Sequence, residues 1–182
     1  MQWRNSTGRF GALAQAFHWG MFALLTAVCL AIELKGIYPR GSAGRAAMTH
    51  WHELLGLSAA LAVFARLFWR AFDAPPPDLP GTPAWQRRAA TLTKLALYIL
   101  LVALPVTGLV AAIGRGNAVL FLGIDFNALI GPLGKDTGKA VKEVHEFMAT
   151  AAYWLVGLHA AAALWHHFIR HDPTLRRMLP GG

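Results

Sequence analysis

The chain has 182 residues, of which 55% are hydrophobic and only 14% are charged, and its formal net charge is +8. Soluble domains carry about 25% charged residues, and here the apolar residues are grouped in long runs. The composition therefore excludes an ordinary soluble domain and predicts one polytopic membrane domain over residues 1–182.

Four apolar runs are each long enough to cross about 30 Å of hydrocarbon at about 1.5 Å per residue. They predict an all-α bundle of four transmembrane helices, at roughly residues 13–34, 51–72, 92–113 and 145–169. The first fifteen residues lack an apolar core and a cleavage site, so no removable signal peptide is expected. The single cysteine, Cys29, excludes an internal disulfide.

The connections between these runs differ in character. DAPPPDLPGTP, after the second run, contains prolines and a glycine that predict a stiff surface linker. Residues 114–140 are rich in glycine and predict a long loop, with a short interfacial helix around AVLFLGIDFNALIG. Pro105 and Gly108 lie inside the third run, where neighbouring groups can satisfy the carbonyl that proline leaves free.

The Lys and Arg residues predict an orientation. With the N-terminus inside, ten of the 17 lie on the inner side and seven on the outer: Lys35, Arg40, Arg45, Arg115, Lys135, Lys139 and Lys142. This excess favours an orientation with both termini in the cytoplasm. The charges then orient the helices or attract an anionic substrate to one face, and no nucleic-acid partner is expected.

Four histidines lie in or at the ends of the apolar runs, where ionisable side chains are costly and need a reason. His145 and His159 are fourteen residues apart on the fourth helix. That interval brings them to the same face within about 40° and separates them by about 21 Å along the axis. One metal ion cannot bind both, so the spacing favours two stacked cofactors, and haem with axial imidazoles is the natural candidate.

Each cofactor then needs a second imidazole from another helix. His18 starts the first helix on the inner side, the level of His159, and His52 starts the second on the outer side, the level of His145. The alternative is that these histidines make ordinary interhelical hydrogen bonds. An isolated metal ion is disfavoured because no HxxxH motif or carboxylate cluster accompanies them, and the lack of CxxCH argues against covalent haem.

Several stretches resemble the bacterial cytochrome b561 family of four-helix dihaem membrane proteins, specifically its superoxide oxidase type. They are FHWGMF, CLAIELKGIYPR, HELLG with RLFWR, LPVTGLV, RGN, the HE that starts the fourth run, GLHAAAALWHH and DPTLRRMLP. The resemblance covers residues from about 12 to 180 and implies two b-type haems.

The resemblance implies haem ligands at His18, His52, His145 and His159. HWH at 50–52 offers a second candidate, but only His52 has the family's glycine four residues on and arginine fourteen on. That arginine, Arg66, is expected to pair with haem propionates at the inner level, or alternatively to extend to the headgroups.

The function that the resemblance implies is an oxidoreductase that passes electrons from superoxide to ubiquinone, without an obligate protein partner. Arg40, in the GIYPR segment, is the expected residue that admits superoxide. The outer cations outnumber the outer acids by only one, so attraction of the anion requires local clustering. His166, seven residues beyond His159, is a candidate quinone ligand, or alternatively an interfacial histidine.

Two other functions remain open at this point. One is a cytochrome b subunit that serves a partner dehydrogenase or hydrogenase. The other is a non-redox membrane scaffold, or a transporter that uses its histidines as proton relays.

Overall fold

The computed structural model describes residues 2–180, and four long helices dominate it: α1 (Ala12–Leu34), α2 (Ala43–Phe72), α3 (Ala84–Gly114) and α5 (Lys135–Phe168). Each of them is long and apolar enough to cross a membrane. At about 1.5 Å per residue, even α1, the shortest of the four, spans about 34 Å. The prediction of a four-helix transmembrane bundle is confirmed.

Three of these helices begin before the apolar runs do. The structure starts α2 at Ala43 where the sequence predicted about 51, α3 at Ala84 where it predicted 92, and α5 at Lys135 where it predicted 145. Apolar composition reports only the part of a helix that lies in lipid, whereas the backbone hydrogen bonds continue into water. At the start of α2, the Ser42 Oγ accepts the Arg45 N–H at 3.3 Å and fixes the first turn.

The connection between α3 and α5 holds a hairpin of β1 (Leu120–Phe121) and β2 (Ile124–Asp125), then the short α4 (Phe126–Ile130). Leu122 and Gly123 have φ values of 51° and 80°, and two successive left-handed residues suit a tight hairpin turn. The sequence predicted one interfacial helix in this stretch. Strands replace its first half because Gly123 lets the chain reverse there.

The two ends of the bundle differ in the segments that they hold. The termini face holds both chain ends and the linker 73–83, and the far face holds the loops 35–42 and 115–134. Since α1 and α3 start at the termini face and α2 and α5 end there, the bundle alternates up and down.

The helices pack through one buried apolar cluster and one close contact between two glycines. Helix α1 packs on α2, and α3 packs on both α2 and α5. Met21, Ala59 and Val63 form a buried cluster between α1, α2 and α3. At the far face, a Cβ on Gly114 would lie 2.5 Å from the Gly138 Cα, so the backbones of α3 and α5 touch there.

The outward surface of the bundle is apolar. Trp154 and Leu158 on α5 are 78% and 63% exposed, and Phe22 on α1 and Phe64 on α2 are exposed by more than half. Side chains of this kind are solvated by lipid rather than by water. The protein is therefore embedded in a lipid bilayer.

Separate chain segments interlock at the termini face. The buried Asp73 carboxylate accepts the Asn5 backbone N–H at 3.0 Å. The Arg177 guanidinium donates to the carbonyls of Gly8 at 2.9 Å and Pro77 at 3.0 Å. The N-terminal segment, the linker and the C-terminal tail are thus tied to one another.

Candidate functional site

The four intramembrane histidines meet in two pairs. The ring centres of His18 on α1 and His159 on α5 are 6.2 Å apart. The ring centres of His52 on α2 and His145 on α5 are also 6.2 Å apart. The first pair lies toward the termini face and the second toward the far face, and α5 contributes one member to each.

The separation of the rings fits one iron between each pair. An imidazole nitrogen binds a first-row metal at about 2.0 Å and lies about 1.1 Å from its ring centre, so two opposed rings on one metal have centres about 6.2 Å apart. The interplanar angles are 65° and 89°, and both are compatible with axial ligands, since each ring can rotate about its metal–nitrogen axis. The distances therefore allow both pairs to hold haem iron.

The composition of the donor set favours haem over a bare ion. Within residues 2–180, no group of three or more His, Cys, Asp or Glu side chains converges to hold a metal. Two imidazoles alone leave a bare ion short of ligands, whereas a porphyrin supplies the four that are missing.

Each histidine of the far-face pair is held by a hydrogen bond to a backbone carbonyl. The His52 Nδ1–H donates to the Val28 carbonyl at 3.0 Å, and the His145 Nδ1–H donates to the Leu104 carbonyl at 3.0 Å. A metal-binding histidine commonly donates its second ring N–H to such an acceptor, which fixes the tautomer. Each bond assigns the proton to Nδ1 and leaves Nε2 free for a metal.

Residues of α3 position the His145 ring, a role that the sequence analysis did not predict for them. The Thr107 Oγ1 lies 3.2 Å from the His145 Nδ1. A Cβ on Gly108 would lie 3.1 Å from the His145 Cε1, closer than side chains normally approach. Helix α3 continues through Pro105, which stands beside the Leu104 carbonyl that His145 uses.

The structure also separates the two candidates of the HWH stretch. His52 faces His145, whereas His50 is exposed. The two positions differ by about 200° around α2, so only one of them can face α5.

Cations cluster near the far-face pair. The charges of Arg45, Arg115 and Lys142 all act on Lys35, and Arg115 also acts on His145. Arg45 is held by bonds to the Lys35 and Tyr38 carbonyls at 3.1 and 3.2 Å. One acid enters the group, since Glu146 pairs with Lys142. The structure thus has a local cluster, here called the cation cluster: Lys35, Arg45, Arg115 and Lys142.

Arg40, the residue expected to admit superoxide, lies outside this group. It is exposed in the turn between α1 and α2 and is not among the charges that act on Lys35.

Near the termini face, two arginines flank one aromatic ring. The guanidinium carbons of Arg66 and Arg70 each lie 5.8 Å from the ring centre of Tyr98 on α3. The charge of Arg66 also acts on His18 and His159. In the described part of the chain, one buried side-chain polar atom has no hydrogen-bond partner, the Nε1 of Trp69, one turn from Arg66.

His166 has a partner that the sequence did not predict. Its Nδ1 lies 2.5 Å from the Asp172 Oδ2, and both side chains are partly buried. His166 is seven residues beyond His159 on α5, about 10 Å further along the axis at 1.5 Å per residue. Asp172 follows the end of α5, so helical periodicity cannot predict where its side chain lies.

Known proteins are similar to this chain along nearly its whole length. A family model described as prokaryotic cytochrome b561 matches residues 9–181. The chain is 34% identical over 172 residues to cytochrome b561 homolog 1 of Escherichia coli K12, covering 94% of this chain and 97% of that protein.

Two further relatives also match nearly end to end. Cytochrome b561 homolog 2 of Escherichia coli K12 is 30% identical over 187 residues, covering 98% of this chain and 95% of the relative. A Yersinia pestis protein named probable superoxide oxidase CybB is 28% identical over 176 residues, covering 94% and 96%.

Proposed function

This chain belongs to the prokaryotic cytochrome b561 family and is a membrane electron-transfer protein, and we propose that it oxidises superoxide and reduces ubiquinone. Electron transfer removes the non-redox scaffold and the proton-relay transporter from consideration. The name of the Yersinia pestis relative supports superoxide as the electron donor. The cation cluster supports it independently, because superoxide is an anion.

We assign one haem b to each histidine pair, and one observation carries this assignment. Both pairs have ring centres 6.2 Å apart, which is the separation that two axial imidazoles need. His18 and His159 would hold the haem near the termini face, and His52 and His145 the haem near the far face. Each bound haem supplies an iron that takes up and releases one electron.

Two superoxide anions are oxidised for each ubiquinone that is reduced. Two superoxide anions each give up one electron and leave as dioxygen, and one ubiquinone takes both electrons and two protons to become ubiquinol. The histidine pairs lie about 21 Å apart along α5, from fourteen residues at 1.5 Å each. They would relay the electrons from the far face toward the termini face.

The cation cluster would draw superoxide to the far-face pair. Two arginines and one lysine surround Lys35 and concentrate positive charge there. The summed charge of the outer side is close to zero and does not predict this concentration. Such a field raises the local concentration of an anion and weakens with salt. Arg40 remains a candidate for the first encounter because it is exposed on the same side.

Arg66 would pair with a propionate of the haem near the termini face. A half-buried guanidinium within a membrane needs an anionic partner, and Arg66 acts electrostatically on both His18 and His159. A propionate is also an acceptor of the kind that the buried Trp69 Nε1 lacks. This pairing would hold the haem by its edge while the imidazoles hold its iron.

His166 would bind the quinone at the termini face. An imidazole can hydrogen-bond a quinone carbonyl and transfer a proton, and His166 lies on the same helix as His159. The Lys and Arg distribution supports a termini face in the cytoplasm, and the family supports a location in the bacterial inner membrane. The protons for the quinone would then come from the cytoplasm.

The deciding experiment is stopped-flow reduction of the haems by superoxide in the purified protein, with and without ubiquinone. We expect superoxide alone to reduce the haems, and added quinone to reoxidise them. Haems that stay oxidised with superoxide, but are reduced once a dehydrogenase or hydrogenase is added, would instead support a subunit that serves such a partner.

A further inference from the structure

We infer that Asp172 is a positioning residue that orients His166 for proton transfer to the quinone, an inference that rests on the proposed reduction of ubiquinone. The assignment comes from the hydrogen bond between the two side chains and from the turn that creates it. Nothing in the helical pattern of α5 requires an acid at this place.

The chain turns back at the end of α5 and brings Asp172 over the last helical turn. His171 has a φ of 52°, in the left-handed region that residues other than glycine seldom adopt. The Asp172 N–H then donates to the His166 carbonyl at 3.1 Å. The backbone of Asp172 is therefore tied to the same residue that its side chain contacts.

The Asp172 carboxylate is fixed at both oxygens. Its Oδ2 accepts the His166 Nδ1–H at 2.5 Å, and its Oδ1 accepts the Thr174 N–H at 2.9 Å. Partial burial raises the pKa of Asp172, but the hydrogen bonds from His166 and Thr174 outweigh burial, so its pKa lies below the usual value. The carboxylate is thus ionised at neutral pH.

This arrangement suits His166 to donate a proton. With Nδ1–H committed to Asp172, Nε2 is the nitrogen that can exchange a proton with a ligand. The bond to the carboxylate fixes both the tautomer and the orientation of the ring. The Arg170 guanidinium lies 5.5 Å from the Trp165 ring centre, and the Trp165 ring packs edge-on against His166 at 5.1 Å.

The step that follows is balanced. The His166 Nε2–H passes to a quinone oxygen as the quinone receives an electron, and the imidazole takes a new proton from water. The second electron and proton follow by the same route. Asp172 keeps its charge throughout and transfers no proton itself.

The test is the reoxidation of dithionite-reduced protein by two acceptors, a short-chain ubiquinone that needs protons and ferricyanide that needs none. We expect Asp172→Asn, which keeps an acceptor but removes the charge, to slow reoxidation by quinone at least about tenfold, which is part of the roughly 10²- to 10⁴-fold contribution of general acid catalysis. Asp172→Ala, which removes both, should slow it further. Ferricyanide should reoxidise both variants at the wild-type rate.

Asp78→Asn is the matched control, because Asp78 is an exposed acid on the same face. It should leave both reactions unchanged. If Asp172→Asn slows both acceptors equally, or neither, the inference is wrong while quinone reduction stands. If wild-type protein is reduced by superoxide but never reoxidised by quinone, the proposed function fails and the inference falls with it.

Discussion

Gly108 on α3 lies directly against the ring of His145 on α5, so close that a Cβ at 108 would stand 3.1 Å from the His145 Cε1. This contact decides where the His145 ring sits, together with the bond from its Nδ1–H to the Leu104 carbonyl at 3.0 Å. A larger residue at 108 must push the ring toward α2.

Gly108→Val should therefore disturb the far-face haem and spare the other. We expect haem content to fall from about two per chain toward about one, because the ring that must move aside is one of the two imidazoles proposed to hold that haem. The measurement is the haem-to-protein ratio by pyridine haemochrome. Gly20→Ala is the control, since a Cβ there meets no atom within 4 Å, and a normal ratio in Gly108→Val would contradict the prediction.

Replacement of the two histidines of the HWH stretch separates the candidate ligands. His52→Ala should leave about one bound haem per chain, because the far-face pair would lose one of the two axial ligands proposed for its haem. His50→Ala should keep about two, since His50 is exposed and turned away from His145. Reduced-state absorption spectra of the purified variants measure this, and loss of a haem in His50→Ala alone would exchange the two assignments.

Removal of one charge from the cation cluster should slow the reaction with superoxide. We expect Arg115→Gln to lower the second-order rate of haem reduction about three- to tenfold at low salt, and to flatten its dependence on ionic strength. Stopped-flow measurements between low and high salt test both effects. Arg87→Gln, a charge change on the termini face, is the control, and Arg40→Gln tests whether the exposed turn contributes.

The buried Asp73 should be the most sensitive acid for stability. Asp73→Ala leaves the Asn5 N–H without its acceptor at 3.0 Å, and a buried donor without a partner costs about 1–3 kcal/mol. The ion pair with Arg4 at 3.5 Å adds little, because the Arg4 side chain is 68% exposed. We expect a lower Tm in detergent than for wild type, and no change for the exposed Asp78→Ala.

The bond between Asp172 and His166 should make stability depend on pH in one direction. Because hydrogen bonds lower the pKa of Asp172 in the folded protein, its contribution is complete above the unfolded pKa of about 3.9 and is lost as the pH falls through the folded value. The difference in Tm between wild type and Asp172→Asn should shrink as the pH falls below about 4. A Tm difference that grows as the pH falls below 4 would contradict the prediction.

The meeting of His18 with His159, and of His52 with His145, could be predicted because depth in a bilayer is encoded in the sequence. Position within an apolar run fixes the level of a residue along the helix, and a period of about 3.6 residues fixes its face. These two quantities suffice for ligands that point into the bundle.

The surroundings of the histidines could not be predicted in the same way. Gly108, Thr107 and Tyr98 act across helix interfaces, and their contacts depend on which helix packs beside which. Asp172 depends on a left-handed residue, His171, that the sequence does not mark by a glycine. The extra turns at the start of α5 were missed because they are polar and lie outside the apolar run.

One feature bears on how the protein is made. Each histidine pair takes a member from α5, the last of the four long helices in chain order. The first three helices can enter the membrane and associate, but neither pair is complete until α5 has been synthesised. Capture of the two proposed haems must therefore follow the synthesis of α5, and a nascent chain that stalls before residue 145 presents only half of each pair.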